Sequence, residues 1–260
     1  MSRAVFLFYS KTPLPQSCGK AKPCQTDSAL YNIYMARSIT ISIGEFYHLY
    51  NRGTDKRKVF TSQYDYERFI ALLYLCNSSE STRIRSKFLT DMLSIKTGKK
   101  LVQIGAYCLM PNHFHLLLSE CVEGGISRFM QKLMTAYTMY FNKKNERTGN
   151  LFQGVFKAEH LDRDEYLKYI FAYIHLNPVK LVDSKWKENG IKNRTIAKNF
   201  LKNYSYSSYL EYIGIDRKEK VILSPNAFPH YFEKVDAFQK MINFWIEFKD
   251  ENPPTEKNIS

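Results

Sequence analysis

Leu101-Val102-Gln103-Ile104-Gly105-Ala106-Tyr107-Cys108-Leu109-Met110-Pro111-Asn112-His113-Phe114-His115-Leu116-Leu117-Leu118 holds two apolar runs parted by Pro111-Asn112. Proline has no N–H to give to a central ladder, so Pro111 marks a break between two strands, Leu101 to Met110 and Phe114 to Leu118. In a strand successive side chains alternate faces, so His113 and His115 project together while Phe114 enters the other side.

Toward the N-terminus a polar, basic stretch precedes Leu101, and before it Glu67 to Cys76 carries Phe69, Ile70, Leu72, Leu73 and Leu75 at helical spacing. Ile39 to Asn51, rich in β-branched and aromatic residues and closing on the turn signal Asn51-Arg52-Gly53, reads as a first strand. Toward the C-terminus, Gly124-Gly125 opens a helical pattern from Ile126 to Lys143. Leu151 to Ala158 is short and apolar enough for another strand. Asp164 to Leu176 reads as a helix with acidic residues at its N-terminal end, stopped by Pro178. The order β, α, β, β, α, β, α predicts an α+β fold, a mainly antiparallel sheet with helices on one face. No internal repeat is present.

The flanks read differently. Residues 1–34 mix prolines, glycine and polar residues without a period of 2 or 3.6 and are expected to form a loose arm, with Met35 an alternative start. The pattern assigns residues 35–181 to a catalytic domain, 182–250 to a basic then aromatic extension with a helical segment around Phe238 to Phe248, and 251–260 to a disordered tail.

The formal net charge is +13 and the sequence pI is about 9.4. Such a surplus suits a protein that works on a polyanion, because each Lys or Arg near a phosphate releases a counterion. The charge is not gathered in one tail, which makes nucleic acid the leading partner. Cys18, Cys24, Cys76, Cys108 and Cys121 lack the close pairing of zinc sites, and their odd number fits a reducing compartment. No stretch is apolar for long enough to span a bilayer, and Ala4 to Tyr9 is too short for a secretory core. A cytoplasmic protein is expected, with no membrane partner.

Two imidazoles a strand pitch apart can share one divalent cation, although an edge-strand pair of surface histidines has the same spelling. On the helix Asp164 to Leu176, residues four apart share a face, so Tyr169, Tyr173 and Asn177 form a row. A phenol and a carboxamide on adjacent turns offer a nucleophile and a third ligand, whereas the plainer reading packs the tyrosines as core. A phenol of pKa about 10 is a poor nucleophile near neutrality. A cation would help from the other side, by polarising a phosphate for in-line attack.

Four ordered blocks carry a family likeness: Tyr47-His48-Leu49-Tyr50-Asn51-Arg52-Gly53, Tyr107 to Leu117, Gly149-Asn150-Leu151-Phe152-Gln153-Gly154-Val155-Phe156-Lys157, and Tyr173-Ile174-His175-Leu176-Asn177-Pro178-Val179-Lys180. Together they resemble the REP-associated tyrosine transposases, a branch of the single-tyrosine HUH transposases, over about Met35 to Gly214. The resemblance implies an RRM-like or ferredoxin-like antiparallel sheet, His113, His115 and Asn177 as metal ligands for Mg2+ or Mn2+, and Tyr173 as nucleophile. It implies cutting and joining of single-stranded DNA at palindromic repeat hairpins, through a 5′-phosphotyrosine intermediate that frees a 3′ hydroxyl. Arg52, Lys157 and Lys180 lie in the matching blocks and are candidates for DNA contact. The expected protein is a monomer or homodimer that is associated with the nucleoid. Tyr169 lies eight residues before Asn177, two turns away, and is the less suitable nucleophile. A domesticated protein that binds hairpins without cutting is the alternative. A small-molecule metalloenzyme is disfavoured by the long helices and the basic charge.

Overall fold

The computed structural model describes residues 40–80 and 88–247. The arm expected over residues 1–34, Met35 and the tail expected over 251–260 lie outside them. Strands β1 (Phe46–Arg52), β2 (Val102–Met110), β3 (His113–Glu120) and β4 (Lys157–His160) form one antiparallel sheet in the order β2-β3-β1-β4. Helix α1 (Gln63–Leu75) links β1 to β2, and α3 (Gly125–Lys144) links β3 to β4. The short helix α2 (Leu89–Leu93) precedes β2. This β-α-β-β-α-β arrangement is the expected ferredoxin-like plan.

The β2–β3 turn is anchored through the groups that proline leaves available. The Pro111 carbonyl accepts from the Val59 and Phe60 N–H groups at 2.8 and 3.1 Å, and the Asn112 carbonyl from Gly53 N–H at 2.8 Å. β3 is therefore tied to the segment that follows β1. At Gly105 the β2–β3 register shifts, and a Cβ there would lie 2.7 Å from the Phe228 ring. Only glycine lets the C-terminal part of the chain approach so closely.

Two strand expectations needed correction. Among the described residues the first strand begins at Phe46, because Gly44 turns the chain at φ 85°, and the expected start, Ile39, lies outside them. The last strand is Lys157–His160 rather than Leu151 to Ala158. Gly154 sits at φ 65°, and Leu151 and Phe152 are buried as plugs against the core, with Phe152 bridged to Gly53.

Helices α1 and α3 cover the face carrying Tyr47, Leu49, Phe114 and Leu116. Phe69 of α1 lies 5.0 Å from the Phe114 ring and 4.9 Å from Tyr137 of α3. α1 starts earlier than its apolar stripe predicts because Asp65 accepts from the backbone N–H of Thr61 and Ser62, at 2.8 and 3.0 Å. The other oxygen of this fully buried carboxylate accepts from Lys144 Nζ at 2.6 Å and from the Tyr140 hydroxyl at 2.9 Å. One group thus joins the start of α1 to the end of α3.

The expectation of helices on one face does not hold. α4 (Asp164–Leu176) packs across β2 and β3 on the opposite side, because its buried residues Leu167, Ile170, Phe171, Ile174 and Leu176 form an apolar stripe of its own. The extension then closes over α4 and the sheet edge. It includes α5 (Trp186–Asn189), α6 (Arg194–Asn203), α7 (Tyr209–Tyr212) and α8 (Val235–Glu247). Along the outer edge of β2, Leu109 N–H donates to the Tyr206 carbonyl at 2.9 Å and Ser208 N–H to the Tyr107 carbonyl at 3.0 Å. An edge that would otherwise expose unpaired backbone groups is thereby covered. His175 of α4 donates through Nδ1 to the Phe171 carbonyl at 2.8 Å, so its Nε2 accepts from the Ser208 hydroxyl at 2.8 Å. Phe171 stacks on Phe232 at 3.8 Å, and His175 meets Phe238 of α8 at 5.0 Å. These contacts hold α4 in place. No helix among the described residues is long and apolar enough to cross a membrane.

Candidate active site

β3 lies between β2 and β1, so the reading of His113 and His115 as an edge-strand pair is excluded. Cross-strand register puts Arg52 opposite His113 and Tyr50 opposite His115 on β1, and His48 follows on the same face. On β4, Lys157 pairs with Tyr50 and Glu159 with His48. α4 crosses this polar face and presents Tyr173, whose ring centre is 5.4 Å from that of His115 and 6.1 Å from that of His48. Asn177 ends α4 with helical backbone angles, φ −53° and ψ −38°, and so stays on the face of Tyr173.

The carboxamide of Asn177 sits among these groups. Its Nδ2 lies 3.3 Å from His115 Nε2, and it is near enough to the His113 ring and the Tyr173 hydroxyl to bear on the protonation of both. The far nitrogens of both imidazoles are engaged elsewhere. His113 Nδ1 donates to Asn112 Oδ1 at 2.6 Å, and the amide of Asn112 is oriented by its Nδ2 donating to the Lys56 carbonyl at 3.3 Å. His115 Nδ1 lies 2.9 Å from His48 Nε2, and His48 Nδ1 lies 3.2 Å from Glu159 Oε2.

Burial pushes the His113 imidazole down to about 4, with the positive charges of Arg52 and Lys180 adding to it. Burial also holds His115 well below the ordinary histidine range, reinforced by His48 and His113. Both rings are neutral near pH 7, the form that ligates metal. Among the described residues no three His, Cys, Asp or Glu side chains gather as a metal cluster. The available donor set is therefore two imidazole Nε2 atoms and one carboxamide, which suits a divalent cation and leaves its charge uncancelled for anionic ligands. Burial raises the Tyr173 phenol above its ordinary value, while the neighbouring Asn177 amide acts in the opposite sense. Lys187 Nζ donates to the Tyr173 hydroxyl at 2.7 Å and lies 4.0 Å from the ring centre.

The family model described as "Transposase IS200 like" matches residues 45–177, which is 133 of the 260 residues. The chain belongs to the IS200-like transposases. The matched span opens just before β1, closes on Asn177, and contains His113, His115 and Tyr173. A solved structure of a REP-associated tyrosine transposase bound to a REP hairpin is also similar, with a TM-score of 0.43 and 14% identity, covering 71% of this chain and 89% of that chain. No curated protein matches the sequence.

Of the cations expected to meet DNA in this IS200-like transposase, Arg52 is exposed beside His113. Lys180, also exposed, lies in the turn Asn177–Leu181, close enough to His113 to depress its protonation. Lys157 is exposed on β4, 5.9 Å from the Tyr50 ring centre. All three border the site. Tyr169 stacks 6.1 Å from Tyr173 and meets Trp245 edge to face at 5.1 Å, and Tyr166 donates to Glu159 Oε2 at 3.3 Å. Sequence reasoning missed His48, Glu159 and Lys187. His48 stands inside a quoted block, but only the β1–β3 and β1–β4 registers bring it between His115 and Glu159. Lys187 lies beyond the matched span on α5, where no local pattern links it to Tyr173.

Proposed function

We propose that this transposase is a metal-dependent single-strand DNA nicking and joining enzyme that acts on palindromic repeat hairpins. The observation that carries the reading is the grouping of His113, Tyr173 and Asn177 around His115, with the two rings 5.0 and 5.4 Å from its own and the Asn177 amide 3.3 Å from its Nε2. The hairpin class rests on the likeness of the four sequence blocks to REP-associated enzymes.

In the proposed reaction the Tyr173 oxygen attacks the scissile phosphorus in line. The phosphorus–O3′ bond breaks, the leaving 3′ oxygen takes up a proton, and the 5′ phosphate stays on the tyrosine. The phenolic proton passes to solvent, and the oxygen bears its negative charge beside the Lys187 ammonium. A divalent cation, Mg2+ or Mn2+, held by His113, His115 and Asn177 would polarise the phosphate. Arg52, Lys157 and Lys180 hold the flanking backbone. Rejoining reverses the step: a 3′ hydroxyl attacks the phosphotyrosine and Tyr173 leaves, recovering its proton. The linkage conserves the energy of the broken bond, so no nucleotide cofactor is required.

Mixing the protein with an end-labelled single-stranded hairpin and Mn2+ should give a covalent adduct that resists denaturation. Tyr173→Phe and a chelator should each abolish it. An adduct undiminished in Tyr173→Phe would remove the assigned nucleophile. Hairpin binding indifferent to metal, with no adduct from any hairpin tried, would favour a domesticated binding protein instead.

A further inference from the structure

We infer that His48 and Glu159 are positioning residues that fix His115 as the Nδ1–H tautomer and so keep its Nε2 lone pair turned to the cation site. The inference rests on the proposed cation site for its purpose, and on hydrogen-bond direction for its substance.

An ionised carboxylate only accepts hydrogen bonds, so Glu159 obliges the His48 nitrogen facing it, Nδ1 at 3.2 Å, to carry a proton. At the other end the Asn177 amide nitrogen can only donate, so His115 Nε2, 3.3 Å away, accepts and is bare. The ring proton of His115 is therefore on Nδ1 and is donated to His48 Nε2 at 2.9 Å. Each bond in the series Asn177, His115, His48, Glu159 thus runs in one direction, set by the charge at its end.

Packing keeps the series in register. His48 is buried and its ring lies 5.1 Å from that of His115, nearly parallel at 14°. Cross-strand pairing sets His48 directly beside Glu159. Tyr166, from the same helix as Tyr173, donates to the Glu159 oxygen that His48 uses. The helix that brings the phenol therefore also holds the far end of the series. His113 has a separate orienting group in Asn112, so the two imidazoles are aimed independently. Outer groups of this kind fix tautomer and ring orientation, and losing one commonly costs about 10–100-fold in metal affinity.

The test uses the full-length protein in three test variants, with a fourth, His115→Gln, for assignment. His48→Phe keeps a flat ring but no acceptor, His48→Gln restores an acceptor oxygen, and Glu159→Gln keeps the size but removes the charge that sets direction. In the metal-free protein with ¹⁵N-labelled histidine, long-range proton–nitrogen spectra, with the His115 signals assigned from His115→Gln, should show a protonated Nδ1 and a bare Nε2. His48→Phe and Glu159→Gln should move population toward the Nε2–H tautomer. Mn2+ binding, read by loss of the free-ion paramagnetic resonance signal, should weaken about 10–100-fold in His48→Phe. Glu159→Gln should also bind less tightly, and His48→Gln should recover part of the affinity. A wild-type His115 protonated at Nε2, or Mn2+ affinities and tautomers unchanged in both His48→Phe and Glu159→Gln, would overturn the inference. A wild-type protein that binds no Mn2+ would instead defeat the cation reading, while the spectra still judge the directed series.

Discussion

In the proposed reaction Asn177 and Lys187 would divide the work at Tyr173 between them. Asn177 follows the phenol by one helical turn and reaches His115 Nε2 at 3.3 Å, and Lys187 sets a positive charge 2.7 Å from the phenol oxygen. Because burial raises the phenol, a group that stabilises the developing negative oxygen has more to contribute than it would in water. Lys187→Met should therefore slow single-turnover adduct formation by about 100-fold, with little change in thermal stability because the side chain is only partly buried. Lys187→Arg should retain part of the rate. An unchanged rate in Lys187→Met would remove the lysine from the reaction. At this scale the sequence was legible where chemistry is packed into short spacings, as in His113-Phe114-His115 and the four-residue step from Tyr173 to Asn177. His48, Glu159 and Lys187 were not legible, because each reaches the site through strand register or a helix outside the matched span.

Helices were read well because their periodic stripes extend over three turns or more, and Asp164–Leu176 matches its expected bounds. Short or irregular elements were not. The segment Tyr204 to Ser208 pairs along β2 without enough residues to show alternation, and Leu151 and Phe152 carry strand-like character yet serve as core plugs. Nor did the sequence expose how α1 and α3 are joined through Asp65. Burial tends to raise that carboxyl, but hydrogen bonds from Lys144, Thr61 and Tyr140 outweigh it, and its folded value lies below its unfolded one. In the window between the two values the unfolded state binds more protons. Stability from this group is therefore fully present above an unfolded value of about 3.9 and is lost as pH falls through the folded value. Urea denaturation should show Asp65→Ala less stable by about 3 kcal/mol near neutrality, with a shallower loss of stability on the acid side. An acid limb as steep as that of the wild type would contradict the assignment.

Over the whole molecule, the antiparallel sheet carries a closed apolar face under α1 and α3 and a polar face under α4. Three exposed cations, Arg52, Lys157 and Lys180, border the site on the second face. If Arg52, Lys157 and Lys180 each neutralise a phosphate, hairpin binding should weaken linearly in log salt. Removing Lys157 or Lys180 should lower that slope by about 1 each without changing which hairpin is preferred. A slope that does not move would place the DNA elsewhere. The central claim is that Tyr173, and no neighbouring tyrosine, takes the phosphate. Cleavage after Lys168 and Lys180 gives a peptide holding both Tyr169 and Tyr173. Tandem mass spectrometry of the nuclease-trimmed adduct should place the nucleotide on Tyr173; a nucleotide on Tyr169, or on any other residue, would contradict the account.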